Sequence, residues 1–414
     1  MRSYTGILLT LFAMTACQAG VRVTCLGNSI TAGRYPTFLQ WDIGGAFEIQ
    51  NAGVPATTLT YNGENPWIAT GMIDTVAMFA PDIVYVMLGT NDSKAITWDT
   101  HSAEFPGDYC RLIDTLRALC PGVRVRACLP TPAWANNGGI RGDVIHNEVV
   151  PAVQQAAQMR SVPVIDLHTP FLDKSVLFPD GFHPSDNGAW EIARLVAAEL
   201  RSEYGVAPDL TAGGTVSSSG YVSEDYAHGF AFDNNPFTAW LTPNTGEKWL
   251  QVTFSQPTTV DRWEVAHAWD QQASRITRDY KLQASDNGTS WSDVDAVSGN
   301  TDEWTSREIA PRTARHFRLS VTYGSVFGSA RISGFVLRHV AGTVDVAQQP
   351  DSGARRQSPA QWSASTGLIV DVSGRRISPN ANARAVVSGR GLQVLPQPGT
   401  RIRSGSDGGA GDTP

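Results

Sequence analysis

Short apolar runs alternate with helix-like segments across residues 20–205, and this alternation constrains the fold more than any other feature. Five runs predict strands: 21–26, 47–53, 82–91, 123–129 and 162–167. Between and after them, apolar residues recur at spacings of three and four over 105–119, 144–160 and 187–204, which predicts helices. Strands that alternate with helices favour right-handed crossovers and a mostly parallel sheet covered on both faces. We therefore predict an α/β domain, a flavodoxin-like three-layer αβα sandwich.

The periodicity changes after residues 206–213, where Pro208 and Gly213 predict a linker. Apolar and polar residues then alternate at 249–254, 260–269, 280–284 and 317–321. Asp286, Asn287 and Gly288 separate two of these runs, as in a hairpin turn. We expect an antiparallel β-sandwich of the jelly-roll type over residues 214–341.

The two ends of the chain carry signals of a different kind. Residues 1–19 combine Arg2, an apolar run over 7–14 and small residues around Cys17, which predicts an export signal too short to span a bilayer. The segment 14–17 also resembles a bacterial lipoprotein cleavage box with Cys17 as a lipid anchor, whereas cleavage after Ala19 would release the protein. No other segment is apolar for long enough to cross a membrane. We expect a secreted or cell-surface, outer-membrane-associated bacterial protein.

Residues 342–365 are rich in Gln, Ser, Pro and Ala, which predicts a linker. Residues 366–414 are expected to form a small β unit with a disordered end, vaguely similar to the C-terminal sorting domains of some secreted bacterial proteins. A sorting signal would disfavour the lipid anchor at Cys17, because both are cellular addresses.

Charge and cysteine content exclude several classes of protein. The chain of 414 residues has a net charge of −7 and no cluster of basic residues, which argues against nucleic acid as a partner. Its five cysteines do not form a disulfide framework or the close spacing of a zinc site. Cys110 and Cys120 would lie too far apart on one helix to bridge, and Cys25 and Cys128 are expected to be buried thiols.

Polar residues follow the strands of the first domain, where ligands bind in open α/β sheets. Ser29 follows the first strand and is the candidate nucleophile. His183 can take its proton as general base, and Asp180 in the same loop can orient the imidazole. The backbone N–H groups of Ser29 and Gly53 and the side-chain amide of Asn91 can stabilise an oxyanion.

These residues lie in four blocks, LGNSIT, NAG, LGTND and DGFHP, whose order resembles that of the SGNH or GDSL-type esterase family. The four name-giving residues correspond to Ser29, Gly53, Asn91 and His183. The frequent Gly-Asp-Ser of the family is Gly-Asn-Ser here, which changes Asn28 but not the nucleophile. The resemblance implies ester hydrolysis through an acyl-enzyme, without a metal or organic cofactor in catalysis.

Residues 89–98, together with Asp108, Tyr109 and the DGFHP loop, look like bacterial carbohydrate O-acetylesterases of this superfamily. Trp67, Trp98 and Trp134 are expected in loops where an aromatic face could hold a sugar ring, although each could equally be a lid or core residue. The expected partner is an acetylated polysaccharide or glycan. The alternatives are a sialic acid acetate, a short-chain lipid ester, a thioester, or a non-catalytic glycan-binding protein.

The stretches AFDNNPFTAW, KWLQVTF, YKLQASDNGTSW and ARHFRLSV resemble the discoidin or coagulation-factor type C family of galactose-binding-like carbohydrate-binding modules. The resemblance implies a structural calcium near Asp233 and Thr238, although the usual late acidic residue is replaced around Ser333. Candidate sugar contacts at one end of the module, each of which could instead be a packing residue, are His267, Trp269, Arg275 and Phe327. Such a module would hold the esterase against a polymer.

Overall fold

The computed structural model describes residues 20–134, 137–267 and 272–340, together with the backbone of four short strands between residues 369 and 396. Trp269 and residues 1–19, including Cys17, lie outside the described residues. The chain divides into two compact units after Ala354.

The first domain is built on a five-stranded parallel sheet. Its strands run in the order β2-β1-β3-β4-β5, which is the flavodoxin order. The fold class predicted from the sequence is therefore confirmed. The strand bounds are β1 (Val21–Gly27), β2 (Phe47–Gly53), β3 (Ile83–Met87), β4 (Arg124–Cys128) and β5 (Val164–Ile165).

Helices cover both faces of this sheet. Alternate residues of β3 point to opposite sides: Val84 and Val86 pack with α5 and α7, and Tyr85 and Met87 pack with α2 and α8. Because both faces of the strand are buried, its sequence is apolar throughout. The helix bounds are α1 (Ser29–Ala32), α2 (Tyr35–Ile43), α3 (Met72–Phe79), α4 (Ala95–His101), α5 (Phe105–Leu119), α6 (Gly142–Val144), α7 (Val150–Arg160) and α8 (Asp186–Tyr204).

The predicted helices show how closely local pattern and structure agree. The helix expected over 105–119 forms with those bounds as α5. The helix expected over 144–160 is interrupted, because Ile145–Val149 form a π-helical segment that joins α6 to α7. Helix α8 begins after Ser185, whose side chain accepts the N–H of Gly188, and ends at Gly205 in the left-handed conformation.

The second domain is an antiparallel β-sandwich, as predicted. The runs at 249–254 and 260–269, expected as separate strands, form one long bent strand that ends at Ala266. The turn at 286–288 joins two antiparallel strands, which confirms the predicted hairpin. The strands are β6 (Thr215–Ser218), β7 (Trp240–Leu241), β8 (Trp249–Ala266), β9 (Asp279–Ser285), β10 (Ser292–Val297), β11 (Trp304–Tyr323), β12 (Arg331–Ile332) and β13 (Gly334–Arg338).

A buried ion pair of the sandwich, between Glu264 and Arg338, contacts the first domain at Gly45. Glu264 is almost fully buried and accepts the backbone N–H of Gly45 at 2.6 Å and the Nε of Arg338 at 3.0 Å. Arg338 in turn donates to the carbonyl oxygen of Ala207 at 2.6 Å. A buried carboxylate needs such partners because it has lost its hydration.

Helix α2 and the residue before it also contact the sandwich. Arg34, directly before α2, forms an ion pair with Glu303 of the sandwich at 3.3 Å. Phe38 packs edge to face on Phe237, with ring centres 5.7 Å apart. The two domains therefore share one packed interface along α2.

The second unit contains two antiparallel strand pairs. These are β14 (Ile369–Val370) with β15 (Arg376–Ile377), and β16 (Ala383–Ser388) with β17 (Gly391–Pro396). Among the described residues, no helix combines the length and apolar character needed to cross a membrane.

Candidate active site

The nucleophile segment lies at the carboxyl edge of the sheet, where the strand order reverses between β1 and β3. Gly27, the last residue of β1, pairs in register with Gly53 of β2 and Met87 of β3. Ser29 follows two residues later as the first residue of α1, and Asn28 caps this helix by accepting the N–H of Ile30 at 3.0 Å. The sheet therefore places Ser29 where ligands bind in folds of this type.

A continuous chain of hydrogen bonds joins Ser29, His183 and Asp180. The Nε2 of His183 lies 2.8 Å from the Ser29 Oγ, and its Nδ1 lies 2.7 Å from the Asp180 Oδ2. An ionised carboxylate can only accept, so the proton resides on Nδ1 and Nε2 accepts from the serine hydroxyl. This is the arrangement in which a histidine acts as general base toward a serine.

The Asp180 carboxylate also organises its own loop. Its Oδ1 accepts the backbone N–H groups of His183 at 2.7 Å and Phe182 at 3.1 Å. Burial raises the pKa of Asp180, but the hydrogen bonds from His183 and Phe182 outweigh this effect and hold the pKa below its ordinary value. Asp180 is therefore ionised at neutral pH and able to stabilise a protonated His183.

Gly53, an expected oxyanion donor, lies directly against the nucleophile helix. A Cβ atom at this position would overlap the backbone nitrogen of Ala32, so only glycine allows β2 to approach α1 this closely. The Gly53 N–H donates to the Asn51 Oδ1 at 2.9 Å. An oxyanion at this position would compete with the exposed Asn51 side chain for the donor.

Asn91 lies in a single 3₁₀ turn beyond β3, with its side chain buried. Its Nδ2 donates to the carbonyl oxygen of Thr57 at 2.9 Å. An amide group carries two hydrogens, so this bond fixes the side chain and leaves the second hydrogen to donate. The structure thus brings Ser29, Gly53 and Asn91 to the same edge of the sheet.

Asp92 is a supporting residue that the sequence reasoning did not single out. It is fully buried and accepts the backbone N–H of Leu59 at 2.9 Å and of Thr60 at 2.8 Å. Burial raises the pKa of the Asp92 carboxyl, although the bonds from Thr60 and Leu59 oppose the change. Asp92 fixes the loop whose Thr57 holds Asn91. The sequence signal that could have identified Asp92 is its position directly after Asn91 in the LGTND block.

Two of the three tryptophans expected to contact a sugar are core residues. Trp67 is 1% exposed and its Nε1 donates to the carbonyl oxygen of Ala52 at 3.1 Å. Trp98 is 5% exposed, lies in α4, and donates to Glu148 at 2.7 Å. For both, the assignment as a sugar contact is wrong and the alternative of a core residue applies, because tertiary contacts satisfy each indole N–H and cover each ring.

Trp134 does lie at the surface beside the catalytic loop. It is 37% exposed, its ring centre lies 4.9 Å from that of Phe178, and its backbone N–H donates to the carbonyl oxygen of Gly181 at 2.9 Å. Since Gly181 is two residues before His183, Trp134 is the tryptophan of the three that remains a candidate substrate contact.

A buried cysteine nucleophile is disfavoured in the first domain. Cys25, Cys110, Cys120 and Cys128 are free and buried. Burial raises the pKa of the Cys25 thiol to about 12. A thiol that is protonated at neutral pH is a poor nucleophile, so Ser29 is the better candidate.

The candidate sugar contacts of the sandwich divide into buried and exposed residues. His267 is fully buried, its Nε2 lies 3.1 Å from the Tyr280 hydroxyl, and it lines a cavity of about 30 Å³ against α2. Its predicted role as a sugar contact was wrong, because its ring is fully buried against Tyr280 and the alternative of a packing residue applies. Arg275 and Phe327 are exposed, and Phe327 is 64% exposed.

Asp233 and Thr238, the candidate calcium ligands, lie together. The Thr238 Oγ1 is 2.8 Å from the Asp233 Oδ2, 3.0 Å from the Asn235 carbonyl oxygen and 3.5 Å from the Phe230 carbonyl oxygen. One hydroxyl hydrogen cannot serve three acceptors, and oxygen donors of these types fit Ca²⁺. Within the described residues, no group of three or more His, Cys, Asp or Glu side chains is arranged to hold a metal ion.

Comparisons with known proteins agree with this architecture. Residues 25–190 match the GDSL-like Lipase/Acylhydrolase family, and residues 214–334 match the F5/8 type C domain. An acetylxylan esterase from Xylanibacter ruminicola is 32% identical over 211 residues, which cover 44% of this chain and 44% of that protein. The chain thus spans less than half the length of this relative.

Two solved structures are also similar. The aryl esterase of M. smegmatis is 20% identical, with 44% of this chain and 99% of that chain covered and a TM-score of 0.37. A family 32 carbohydrate-binding module from Streptococcus pneumoniae is 21% identical, with 31% and 98% covered and a TM-score of 0.28. On its family matches, the chain carries a GDSL-like esterase domain followed by an F5/8 type C domain.

Proposed function

We propose that this protein is an exported serine esterase that removes acetyl groups from a glycan through an acyl-enzyme on Ser29. The observation that carries the proposal is the unbroken chain of hydrogen bonds from Ser29 through His183 to Asp180 at the carboxyl edge of the sheet. The name of the acetylxylan esterase relative supports an acetylated polysaccharide as substrate.

In the first step, the Ser29 Oγ attacks the ester carbonyl carbon while His183 takes the hydroxyl proton. The carbonyl oxygen becomes an oxyanion, for which the N–H groups of Ser29 and Gly53 and the Asn91 amide are the donors. The bond from the carbonyl carbon to the sugar oxygen then breaks, and His183 returns its proton to that oxygen. Acetyl remains on Ser29 as an ester.

In the second step, His183 takes a proton from water, which attacks the acetyl carbonyl carbon. The bond to the Ser29 Oγ breaks, the serine regains a proton from His183, and acetate leaves. Throughout, ionised Asp180 stabilises the imidazolium that forms twice in the cycle. Side-chain exposure of 40% makes His183 accessible to both sugar and water.

The surroundings favour a sugar as the alcohol part of the ester. Trp134 presents an exposed ring beside the His183 loop, where a sugar ring could pack. The F5/8 type C domain supports retention on a polymer, with exposed Phe327 and Arg275 as candidate contacts. Residues 1–19 support export, and Cys17 is the proposed lipid anchor if the lipoprotein box is used.

Acetate release from acetylated xylan, pectin, mannan and sialic acid, with wild type beside Ser29→Ala, tests the proposal. Release by wild type alone identifies the nucleophile and the substrate class. A folded wild type that hydrolyses an aryl acetate but none of these glycans would overturn the glycan assignment. Faster hydrolysis of longer acyl chains would favour the lipid ester or thioester alternative, and retained sugar binding without any ester hydrolysis would favour the non-catalytic one.

A further inference from the structure

The end of the sandwich that meets the first domain is only partly covered. Helix α2 covers His267, but a separate cleft on this end stays open. Trp304 lines both the small cavity at the domain interface and this cleft. His267, the candidate sugar contact, is therefore buried, whereas the cleft on the other side of Trp304 is accessible.

The open cleft has the size and lining of a carbohydrate site. Its volume is about 420 Å³, within the range of small-molecule sites. Residues 297–302 and 304–307 line it, between the end of β10 and the start of β11. They offer the ring of Trp304 and the polar side chains of Ser298, Thr301 and Asp302, whereas the Arg307 guanidinium is held by Asp295. A ligand rich in hydroxyl groups, with an apolar ring face, matches this set.

Several of these side chains are available at the surface. Ser298, Thr301 and Asp302 are exposed, and Trp304 is partly exposed. The loop itself is held from within, because the buried Asn300 donates to the carbonyl oxygens of Thr277 and Asp302 at 3.1 Å each. The cleft thus has a fixed frame with accessible polar groups, which limits the entropy lost on binding.

The cleft lies close to the nucleophile segment. Glu303, the residue before Trp304, forms its ion pair with Arg34. Arg34 follows Ser29 by five residues, so their backbones lie at most about 18 Å apart even if the chain were fully extended. A single polysaccharide chain could therefore reach both the cleft and Ser29.

We propose that this cleft is a second glycan subsite, which holds a neighbouring part of the polymer while an acetylated sugar occupies the active site. The inference rests on the proposed function in one respect, the glycan nature of the substrate. It adds a location on the packed sandwich, separate from the loops that carry Arg275 and Phe327.

The test compares wild type with the double variant Thr301→Ala/Asp302→Ala and with Thr301→Trp, which fills the cleft. Loss of two hydrogen bonds should raise the KM for acetylated xylan by roughly 5- to 10-fold and leave kcat unchanged. Turnover of an aryl acetate should not change in either variant. Asp286→Ala is the matched control, because Asp286 is an exposed aspartate in the turn between β9 and β10.

Direct binding separates this inference from the proposed function. In a Ser29→Ala background, calorimetry with a xylan hexasaccharide should show binding that either cleft substitution weakens and Asp286→Ala does not. Binding of the hexasaccharide without acetate release by wild type would overturn the proposed function and keep the subsite. Equal hexasaccharide affinity and equal KM in all variants, or no binding at all, would overturn the subsite.

Discussion

The carboxyl edge of the first sheet and the loop end of the sandwich both contain residues that resemble known binding sites, and they behave differently. At the sheet edge, Ser29, Asp180 and His183 come together within hydrogen-bonding distance. At the sandwich end, His267 is buried against Tyr280 and beside a small cavity that α2 also lines. A site formed within one domain follows from the topology of that domain, whereas a site at the end of a module also depends on what packs against it.

Asp180→Asn should have the largest effect and would test whether the sheet edge works as one unit. An amide can donate to Nδ1 and so favours the wrong tautomer of His183, which in a comparable triad lowers kcat by about 10⁴. We expect a loss of roughly 10³- to 10⁴-fold in kcat on an aryl acetate, with an unchanged melting temperature. A loss below tenfold would mean that the loop backbone alone orients His183.

Glu264→Ala tests the sandwich at the buried ion pair that contacts the first domain. The substitution leaves Arg338 buried without its carboxylate, which destabilises by about 3–5 kcal/mol in comparable sites. Denaturant unfolding of the full chain measures the change. Lys281→Met, which breaks an exposed ion pair with Asp293, should cost less than about 1 kcal/mol. Equal effects of both substitutions would contradict the burial of the Glu264–Arg338 pair.

Asn91→Ala tests whether the Asn91 amide stabilises the oxyanion at the sheet edge. Removal of one oxyanion donor typically lowers kcat by roughly 100- to 1000-fold. The KM should change little, because the donor acts mainly on the transition state. Unchanged kcat in a folded variant would remove Asn91 from the oxyanion site.

How far the sequence predicts this protein depends on where each constraint originates. The strands and α5 follow from local periodicity, and the polar residues at strand ends predict Ser29, Asn91 and His183. Helix α2 was not predicted, because Tyr35, Phe38 and Ile43 are buried and Phe38 also contacts the sandwich, so its sequence lacks an alternation of apolar and polar faces.

The same limit applies to single aromatic residues. The sequence does not distinguish the exposure of Trp67, Trp98 and Trp134. Tertiary contacts bury the first two and leave Trp134 exposed. Asp92 could be placed on the turn beyond β3, but its hydrogen bonds to Leu59 and Thr60 join segments about thirty residues apart. Such long-range pairs have no local signature.

Burial of His267 gives the stability of the sandwich a pH dependence. Burial lowers the pKa of His267 to about 3, against about 6.5 in an unfolded chain. Between these values the unfolded state binds more protons, so the free energy of unfolding falls as the pH falls, by up to about 1.4 kcal/mol per pH unit. His267→Gln should flatten this slope between pH 6.5 and 4. His316→Gln, at a partly exposed position, serves as control, and equal slopes in both variants would show that His267 is not buried as described.

Calcium should have the smallest effect and acts on the sandwich alone. If Asp233 and Thr238 hold Ca²⁺, adding the ion at ten times its Kd should stabilise the protein by about 1.4 kcal/mol, and a chelator should reverse the gain. Asp233→Asn should lose this response, whereas Asp225→Asn, at an exposed aspartate of the same domain, should keep it. Turnover of an aryl acetate at 25 °C should not respond to the chelator, because every residue assigned to the proposed reaction steps lies in the first domain. A thermal unfolding curve that calcium does not shift would contradict the site. It would show that one carboxylate with hydroxyl and carbonyl oxygens is too weak a donor set here. The acidic residue that is replaced near Ser333 would then be essential for calcium binding.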